Sequence, residues 1–349
     1  MAKIQKNSEK ATEKVTNLFD IPENILVGDK RVFYPNWNNR PPKANPIILL
    51  DNKRVLTQGN YMLVTSKAGT GKSSICEAIA SNVLNPDCDS LGFKVSLSNN
   101  RNKCLYIDTE RTPQDSWLSW ERMMTRAKIF CPDEDNRVIF QNIKSVAFGE
   151  RLKYTEEILK KNTDIGLVII DGGGDFVMDI NSVQETSKFT DWINSFNPLI
   201  SIVMTLHTNP KDDKPRGHIG SEMLRRTECA MLLRKIEENT RLITTNYEFG
   251  KVRNDNDDIS FYYQWSENHK MFISANNYTP PKPITIEKAD ELKKLTDEMF
   301  MNKTQVSYGY ILSFIQEKRG VGIPRAKQII GEMNGKQIKN VAVNVWEKN

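Results

Sequence analysis

The chain has 349 residues, a formal net charge of +5, 38% hydrophobic and 27% charged residues. That length suits one large domain with a small one, or two of medium size, and the composition is that of an ordinary soluble globular protein. No apolar run approaches the ~20 residues of a membrane span, and the opening M-A-K-I-Q-K-N-S-E-K has no apolar core, which excludes a secretory signal there. The five cysteines lie far apart without C-x-x-C, and the three histidines do not pair with them at zinc spacing. Reduced thiols in a cytoplasmic protein are expected. The mild basicity is compatible with a nucleic-acid partner without requiring one.

Residues 1–20 are polar and Lys/Glu-rich, and read as a frayed arm or an amphipathic helix carrying Val15, Leu18 and Phe19. Residues 21–46 hold five prolines and read as an extended lead-in. Ile47 to Leu50 and the D-N-K-R-V-L-T that follows suggest a short hairpin. Tyr61 to Val64 is an apolar run expected to be a buried strand. The small-residue loop Ser66 to Gly71 follows it, and Lys72 and Ser73 then open a helix with Ile75, Ala78 and Ile79 on its apolar face. Strand, glycine loop, Lys-Ser and helix is the context of a phosphate-binding P-loop. In that arrangement the nucleotide-binding stretch is Ser66, Lys67, Ala68, Gly69, Thr70, Gly71, Lys72, Ser73 and Ser74, and the backbone N–H groups from Ala68 to Ser73 point inward around phosphates at a helix N-terminus. Lys72 would reach the β- and γ-phosphates of ATP, and the Ser73 hydroxyl would ligate Mg²⁺. Ser66 stands where the consensus has its first glycine.

Asn85 to Asp87 stops the helix. The Asn-Asn-Arg-Asn of 99–102 looks like a hairpin turn into the core strand Cys104 to Ile107, which ends in Asp108, Thr109 and Glu110. After a break at Arg111 to Pro113, Asp115 or Ser116 is expected to cap a helix with Trp117, Trp120, Met123 and Met124 on its packing face. Arg137 to Phe140 reads as a strand, Gly149 to Lys161 as an amphipathic helix, and Ile165 to Asp171 as a buried strand ending in an acid. Ser182 to Phe196 is a helix, and Leu199 to His207 a third buried strand. Nearly all-apolar strands alternating with helices predict a mostly parallel sheet covered on both faces, with its ligand beyond the carboxyl ends of the strands. The P-loop, Glu110, Asp171 and His207 all fall there. From Glu228 the pattern changes to short strands expected to add an antiparallel extension on one sheet edge. Tyr278 to Pro283 is a linker. Beyond it, segments at 286–301, 306–318 and 324–333 look helical, and the last two, separated by a glycine-containing turn, suit a winged helix-turn-helix with Lys339 to Trp346 as a terminal strand or wing. The same pattern also suits a small bundle that binds protein.

Hydrolysis of ATP needs a phosphate cradle, a metal, a positioned water and a group that absorbs charge at the γ-phosphate. Asp171, behind four apolar residues, fits the acid that holds Mg²⁺ through water. Glu110, expected one strand away from the P-loop, is placed to orient and deprotonate the attacking water, with Asp108 as the competing acid. His207 is placed to sense the γ-phosphate. The long loop after it offers Lys211, Lys214 and Arg216 to the phosphates of a single strand of DNA. Gly172 to Gly174 reads as a flexible second loop. Lys251 and Arg253, two apart on a strand, point at one target.

Together, T-Q-G-N-Y-M-L-V-T-S-K-A-G-T-G-K-S-S, C-L-Y-I-D-T-E, L-V-I-I-D, T-L-H and G-K-V-R resemble the RecA-like ATPases, most nearly the RepA and DnaB type of hexameric helicase and KaiC-like proteins. The resemblance spans about 47–275. It implies a RecA-like three-layer α/β fold and a homo-oligomeric, usually hexameric, ring with ATP between subunits. Glu110 would be the catalytic base, His207 the γ-phosphate sensor, and Arg253 with Lys251 would act on the neighbouring subunit's ATP. Ser66, Asp255 in place of the usual glycine after K-x-R-N, and the Gly172 to Gly174 run depart from that pattern. The short chain is similar to compact helicases of plasmids and mobile elements. The expected organisation is an arm and lead-in at 1–46, an ATPase domain at 47–277 and a small helix-turn-helix-like domain at 284–349. An ATP-switched recombination or replication-initiation regulator is the alternative to a motor. A small-molecule kinase is disfavoured, because G-K-V-R does not suit one.

Overall fold

A computed structural model describes residues 26–27, 30–31, 45–130, 135–196, 199–253, 258–275, 278 and 289–349. The expected arm at 1–20, most of the lead-in, and the linker after Tyr278 lie outside the described residues. The chain divides into two compact units, Met1–Asn276 and Asn277–Asn349.

In the first unit, a two-residue antiparallel pair, Leu26–Val27 with Lys30–Arg31, precedes a hairpin of β1 (Pro46–Leu50) and β2 (Lys53–Thr57). Its turn residues Asp51 and Asn52 have φ of 50° and 61°, values that these two side chains tolerate best after glycine. The P-loop strand β3 (Tyr61–Ser66) then enters the main sheet and leads to α1 (Lys72–Leu84). β4 (Phe93–Val95) pairs with β1, not with the strand after it. The turn expected at 99–102 exists as a bridge between Ser98 and Arg101, yet the strands flanking it belong to different sheets. The continuation is β5 (Lys103–Asp108), α2 (Pro113–Ala127), β6 (Val138–Asn142), α3 (Phe148–Lys161), β7 (Ile165–Asp171), α4 (Val183–Asn194), β8 (Ser201–His207) and α5 (Gly217–Arg226). Antiparallel strands follow: β9 (Cys229–Lys235), β10 (Thr240–Thr244), β11 (Lys251–Val252), β12 (Ser260–Ser266) and β13 (Met271–Ser274).

The main sheet has the order β13-β12-β10-β9-β3-β8-β7-β5-β6, with β11 beside β9. From β9 to β6 every neighbouring pair is parallel, and from β9 to β13 every pair is antiparallel. The expected mostly parallel sheet with an antiparallel edge is therefore observed. Both faces are dry because alternate residues supply two cores. Met62, Val64, Leu167 and Ile169 pack on the side of α1 and α2, and Leu63, Val168, Ile170 and Met204 pack under α4 and α5. Each such side chain withdrawn from water contributes roughly 1.5–3 kcal/mol.

Two helix boundaries differ from the sequence reading. The cap of α2 is Thr112, whose side chain accepts from the Asp115 amide, with Pro113 at the first helical position. Pro113 starts the helix because its missing N–H is one that the first turn leaves unused anyway. The residues from Gly217 onward, read as part of a long loop, form α5, which buries Ile219 and Met223. The loop itself shortens to 208–216 and is closed by a Thr208–Pro215 bridge.

The second unit contains α6 (Ala289–Met299), β14 (Gln305–Val306), α7 (Tyr308–Arg319), α8 (Ile323–Met333), β15 (Ile338–Ala342) and β16 (Val345–Lys348). The strands form an antiparallel sheet in the order β14-β16-β15. Its core joins Leu295, Ile311, Ile315, Ile329, Met333 and Trp346.

Candidate active site

Strand register brings the carboxyl ends together. Ser66 of β3 lies opposite His207 of β8, and Asp108 of β5 lies opposite Asp171 of β7. Glu110 is two residues beyond its strand end. The P-loop strand is not adjacent to either acid-bearing strand: β8 separates it from β7, so Glu110 stands three strands from the P-loop rather than one. The side chains still meet through His207 at the end of β8, which stands 3.0 Å from Lys72 Nζ and 3.6 Å from Glu110 Oε1.

Ser66 belongs to the strand and is buried, which explains why the consensus glycine is dispensable here. Its Oγ donates to the Lys67 carbonyl at 2.8 Å and accepts from Lys72 Nζ at 3.4 Å. Gly71 precedes α1 with φ 105°, and a Cβ there would sit 3.4 Å from the Phe272 ring. The first turn of α1 has no side-chain cap and no acid. Its amides and the positive end of the helix are thus left for an anion, and Lys67, Ala68 and Gly69 are open to solvent. The residues fit a nucleotide's phosphates. The cradle is held from behind by Arg241, which no motif or spacing marks out. Its buried guanidinium donates to the Thr70 carbonyl at 3.0 Å and lies over Phe272.

Lys72 Nζ donates to His207 Nδ1 at 3.0 Å. That leaves the proton of a neutral ring on Nε2, which stands 3.6 Å from Glu110 Oε1. Burial pulls the Lys72 pKa down, and Glu110 and Asp171 oppose that pull. Interaction with the His207 side chain is the largest influence on Glu110, and it holds the carboxyl below its usual range against partial burial. At 3.6 Å the contact between the neutral ring's Nε2–H and the carboxylate is long for a hydrogen bond and is a weak polar contact. Lys72, Glu110, Asp175, His207 and Arg216 line one cavity of about 160 Å³. Asp175 is a second acid here that sequence reading missed. It accepts from Thr109 Oγ1 at 2.7 Å, and burial raises its pKa.

Asp108 and Asp171 are occupied differently. Asp108 Oδ2 accepts from Ser116 Oγ at 2.6 Å, and its Oδ1 accepts from the Glu110 and Arg111 amides, both at 3.2 Å. Asp108 therefore shapes the turn that carries Glu110. Asp171 Oδ2 accepts from Tyr106 Oη at 2.9 Å and from Arg111, and Oδ1 from Thr205 Oγ1 at 3.2 Å. With its lone pairs so engaged, Asp171 suits holding a metal through water, whereas the Ser73 hydroxyl, half-buried at the helix start, would be a direct ligand. Arg111, at the expected chain break, pairs with Asp171, Asp108 and Glu77.

Gly172 to Gly174 is a packed turn, not the flexible loop expected. Gly172 has φ 100°, and Gly173 opens a short 3-10 helix to Phe176. A Cβ on Gly172 would lie 2.2 Å from Thr109 Oγ1 and 3.1 Å from Glu110 Oε1. Gly172→Ala is accordingly expected to cost about 1–3 kcal/mol of stability from the backbone conformation alone. A thermal melt that matches the parent protein would overturn this account of the turn.

Lys251 and Arg253 do converge on one target, the end of α5. Lys251 Nζ donates to the Leu224 and Arg225 carbonyls at 3.3 and 3.0 Å, and Arg253 to those of Arg225 and Arg226 at 3.2 and 3.1 Å. Cations there complement the negative end of the helix. Lys211 and Lys214 are exposed on the 208–216 loop, and Arg216 sits at its foot beside the cavity.

No helix among the described residues is long and apolar enough to cross a membrane. No protein-family model matches the chain, and no curated protein is significantly similar in sequence. Among solved structures, it is similar to a KaiC-like protein from the hyperthermophilic archaeon Pyrococcus horikoshii OT3, with 13% identity, 63% of this chain and 90% of that chain covered, and a TM-score of 0.43.

Proposed function

We propose that the chain is a RecA-like ATPase that hydrolyses ATP with Mg²⁺ and drives a DNA-dependent motor, in the manner of RepA-type hexameric helicases. The observation that carries this is the Lys72–His207–Glu110 line, which ties the phosphate-binding lysine to a carboxylate across 3.0 and 3.6 Å contacts. When bound, Mg·ATP supplies the phosphoryl group and the metal that neutralises its charge. Lys72 and the α1 amides orient the phosphates, Ser73 and Asp171 hold the metal's ligand sphere, and Glu110 takes the proton of the attacking water. His207 sits between Lys72 and Glu110 and opens onto the loop with Lys211, Lys214 and Arg216. A change at the phosphate end is thereby carried to cations suited to a single strand. Lys251 and Arg253 would supply charge to a neighbouring subunit's site, and the second unit would be a winged helix-turn-helix. The plasmid or mobile-element setting belongs to the same reading.

The test measures ATP turnover across protein concentration, with and without single-stranded DNA, and strand displacement on a forked duplex. Turnover that rises with assembly and with single strands, together with unwinding, supports a motor. DNA binding gated by ATP without displacement favours the switch-like regulator. Turnover per subunit that is independent of concentration excludes completion of the site by a neighbour.

Because His207 holds the Glu110 carboxyl low, His207→Ala is expected to let that pKa rise. A base that works ionised then loses activity at a higher pH, so the acid limb of the kcat/KM profile moves upward. An unmoved or lowered limb means that Glu110 is not the group being titrated.

A further inference from the structure

The face of α8 that does not pack into the second unit's core has a distinct character. Ala326, Ile329, Ile330 and Met333 are buried, whereas Ile323, Pro324, Lys327, Gln328 and Gly331 lie along the opposite, exposed side. That side holds no acid. Glu332, the helix's one carboxylate, is turned to Arg325 at 3.3 Å. α7 and α8 are joined by a short turn, with Gly320 in the left-handed region at φ 61° closing α7 and Gly322 opening α8. The β15–β16 hairpin is tied to the start of α7, where the Tyr308 amide donates to Asn344 Oδ1 at 2.9 Å. Its tip leaves Val343 97% exposed.

Charge is sorted across this unit. Lys318 and Lys348 are taken up by acids of α6, Glu298 at 2.9 Å and Asp297 at 2.6 Å. From Gly320 to the C-terminus there are five Lys/Arg against two Asp/Glu. Both of those acids already face cations, Glu332 as above and Glu347 with Lys339 at 3.9 Å. Among the described residues, Lys327 and Lys336 make no ion pair. The surface around α8 is therefore positive, with its acids spent.

We propose that the second unit binds double-stranded DNA, with α8 in the major groove and the β15–β16 hairpin against the adjoining backbone. A helix with its side chains, ~10–12 Å across, matches the ~12 Å major groove of B-form DNA, and the deep, narrow groove of A-form RNA excludes it. Lys327 and Gln328, near the middle of the helix, have the hydrogen-bonding groups that read guanine and adenine edges, and Ile323 offers an apolar contact for a thymine methyl. Single strands are gripped by stacking on aromatic side chains, and this face carries none. The inference rests on the second unit alone and stands whether or not the first unit is a motor.

The test is fluorescence anisotropy of the full chain, without nucleotide, on a mixed-sequence duplex of about 30 base pairs, roughly three helical turns. Tight binding that weakens steeply with salt is expected, with the matched single strand and a double-stranded RNA competing poorly. Lys327→Glu should weaken duplex binding at least about 10-fold, and Gln328→Ala should alter the preference among duplex sequences. Lys153→Glu, an exposed charge reversal on α3, should leave it unchanged. Lys72→Ala should also bind the duplex as the parent does, which separates this proposal from the ATPase reading. An unaffected Lys327→Glu variant, an equal loss in Lys153→Glu, equal competition by single strands or RNA, or no duplex binding would each overturn it. The last result would leave a protein as the partner of this face.

Discussion

On the proposed ATPase reading, Glu110→Gln is expected to lower ATP turnover about 10²- to 10⁴-fold, the usual contribution of a positioned general base, while ATP binding and the unfolding midpoint stay near those of the parent. The amide keeps the shape of the side chain, and one of its atoms still faces His207 Nε2, so the Lys72–His207 contact survives. What is lost is a charge and a proton acceptor. Stability is spared because the Glu110 side chain is 51% exposed and its 3.6 Å contact with His207 is long and open to water. The other two acids at the strand ends give the comparison its force. Asp108 is 1% exposed and fully employed by Ser116 and two backbone amides, so Asp108→Asn should act on folding before chemistry. Asp175 shares the cavity with Glu110, and burial favours its protonated form. Steady-state turnover and nucleotide affinity of the three variants decide the assignment. If Asp175→Asn costs more turnover than Glu110→Gln, the base is Asp175.

The parts of the site legible in the sequence are those whose chemistry is carried by consecutive residues. A strand, a glycine loop and Lys72-Ser73 form a local signal, and the apolar runs before Asp171 and His207 announce their own strands. Fold class was legible for the same reason: uninterrupted apolar strands between helices leave few ways to cover both faces of a sheet. Strand order was not. Nothing in the residues of β8 says that it lies between β3 and β7, so the distance in strands from the P-loop to Glu110 came out wrong. Helix α5 was hidden because Gly217 and Gly220 sit inside it, and glycine argues for a loop. Arg241, 171 positions from Thr70, supports the P-loop through a contact that no spacing rule reaches. Arg111 hid behind Pro113, which read as a break when it was the start of α2.

That arginine carries the largest expected effect on folding. Arg111→Met should lower stability by about 3–5 kcal/mol, the range for removing one partner of a buried charge cluster. Burial alone would depress the guanidinium's pKa, but Tyr106, Asp171, Asp108 and Glu77 together raise it above its ordinary value, so it is charged at every working pH. Its side chain is 16% exposed, and those of Glu77, Asp108 and Asp171 are 2%, 1% and 7% exposed. Without it, three carboxylates keep their burial and lose a shared counter-ion. Glu77 retains Arg122, which donates to it at 2.6 and 3.0 Å, and Asp108 retains Ser116. Asp171 is the acid left most exposed to the change, since Tyr106 and Thr205 are neutral. Arg111→Lys keeps the charge without the planar fork that spans several acids, so it should recover only part of the loss. Urea denaturation of the three proteins measures this directly. A loss below about 1 kcal/mol for Arg111→Met would mean that the cluster is held by Tyr106, Arg122 and Ser116 without its arginine, and that Asp171 tolerates burial on neutral hydrogen bonds alone.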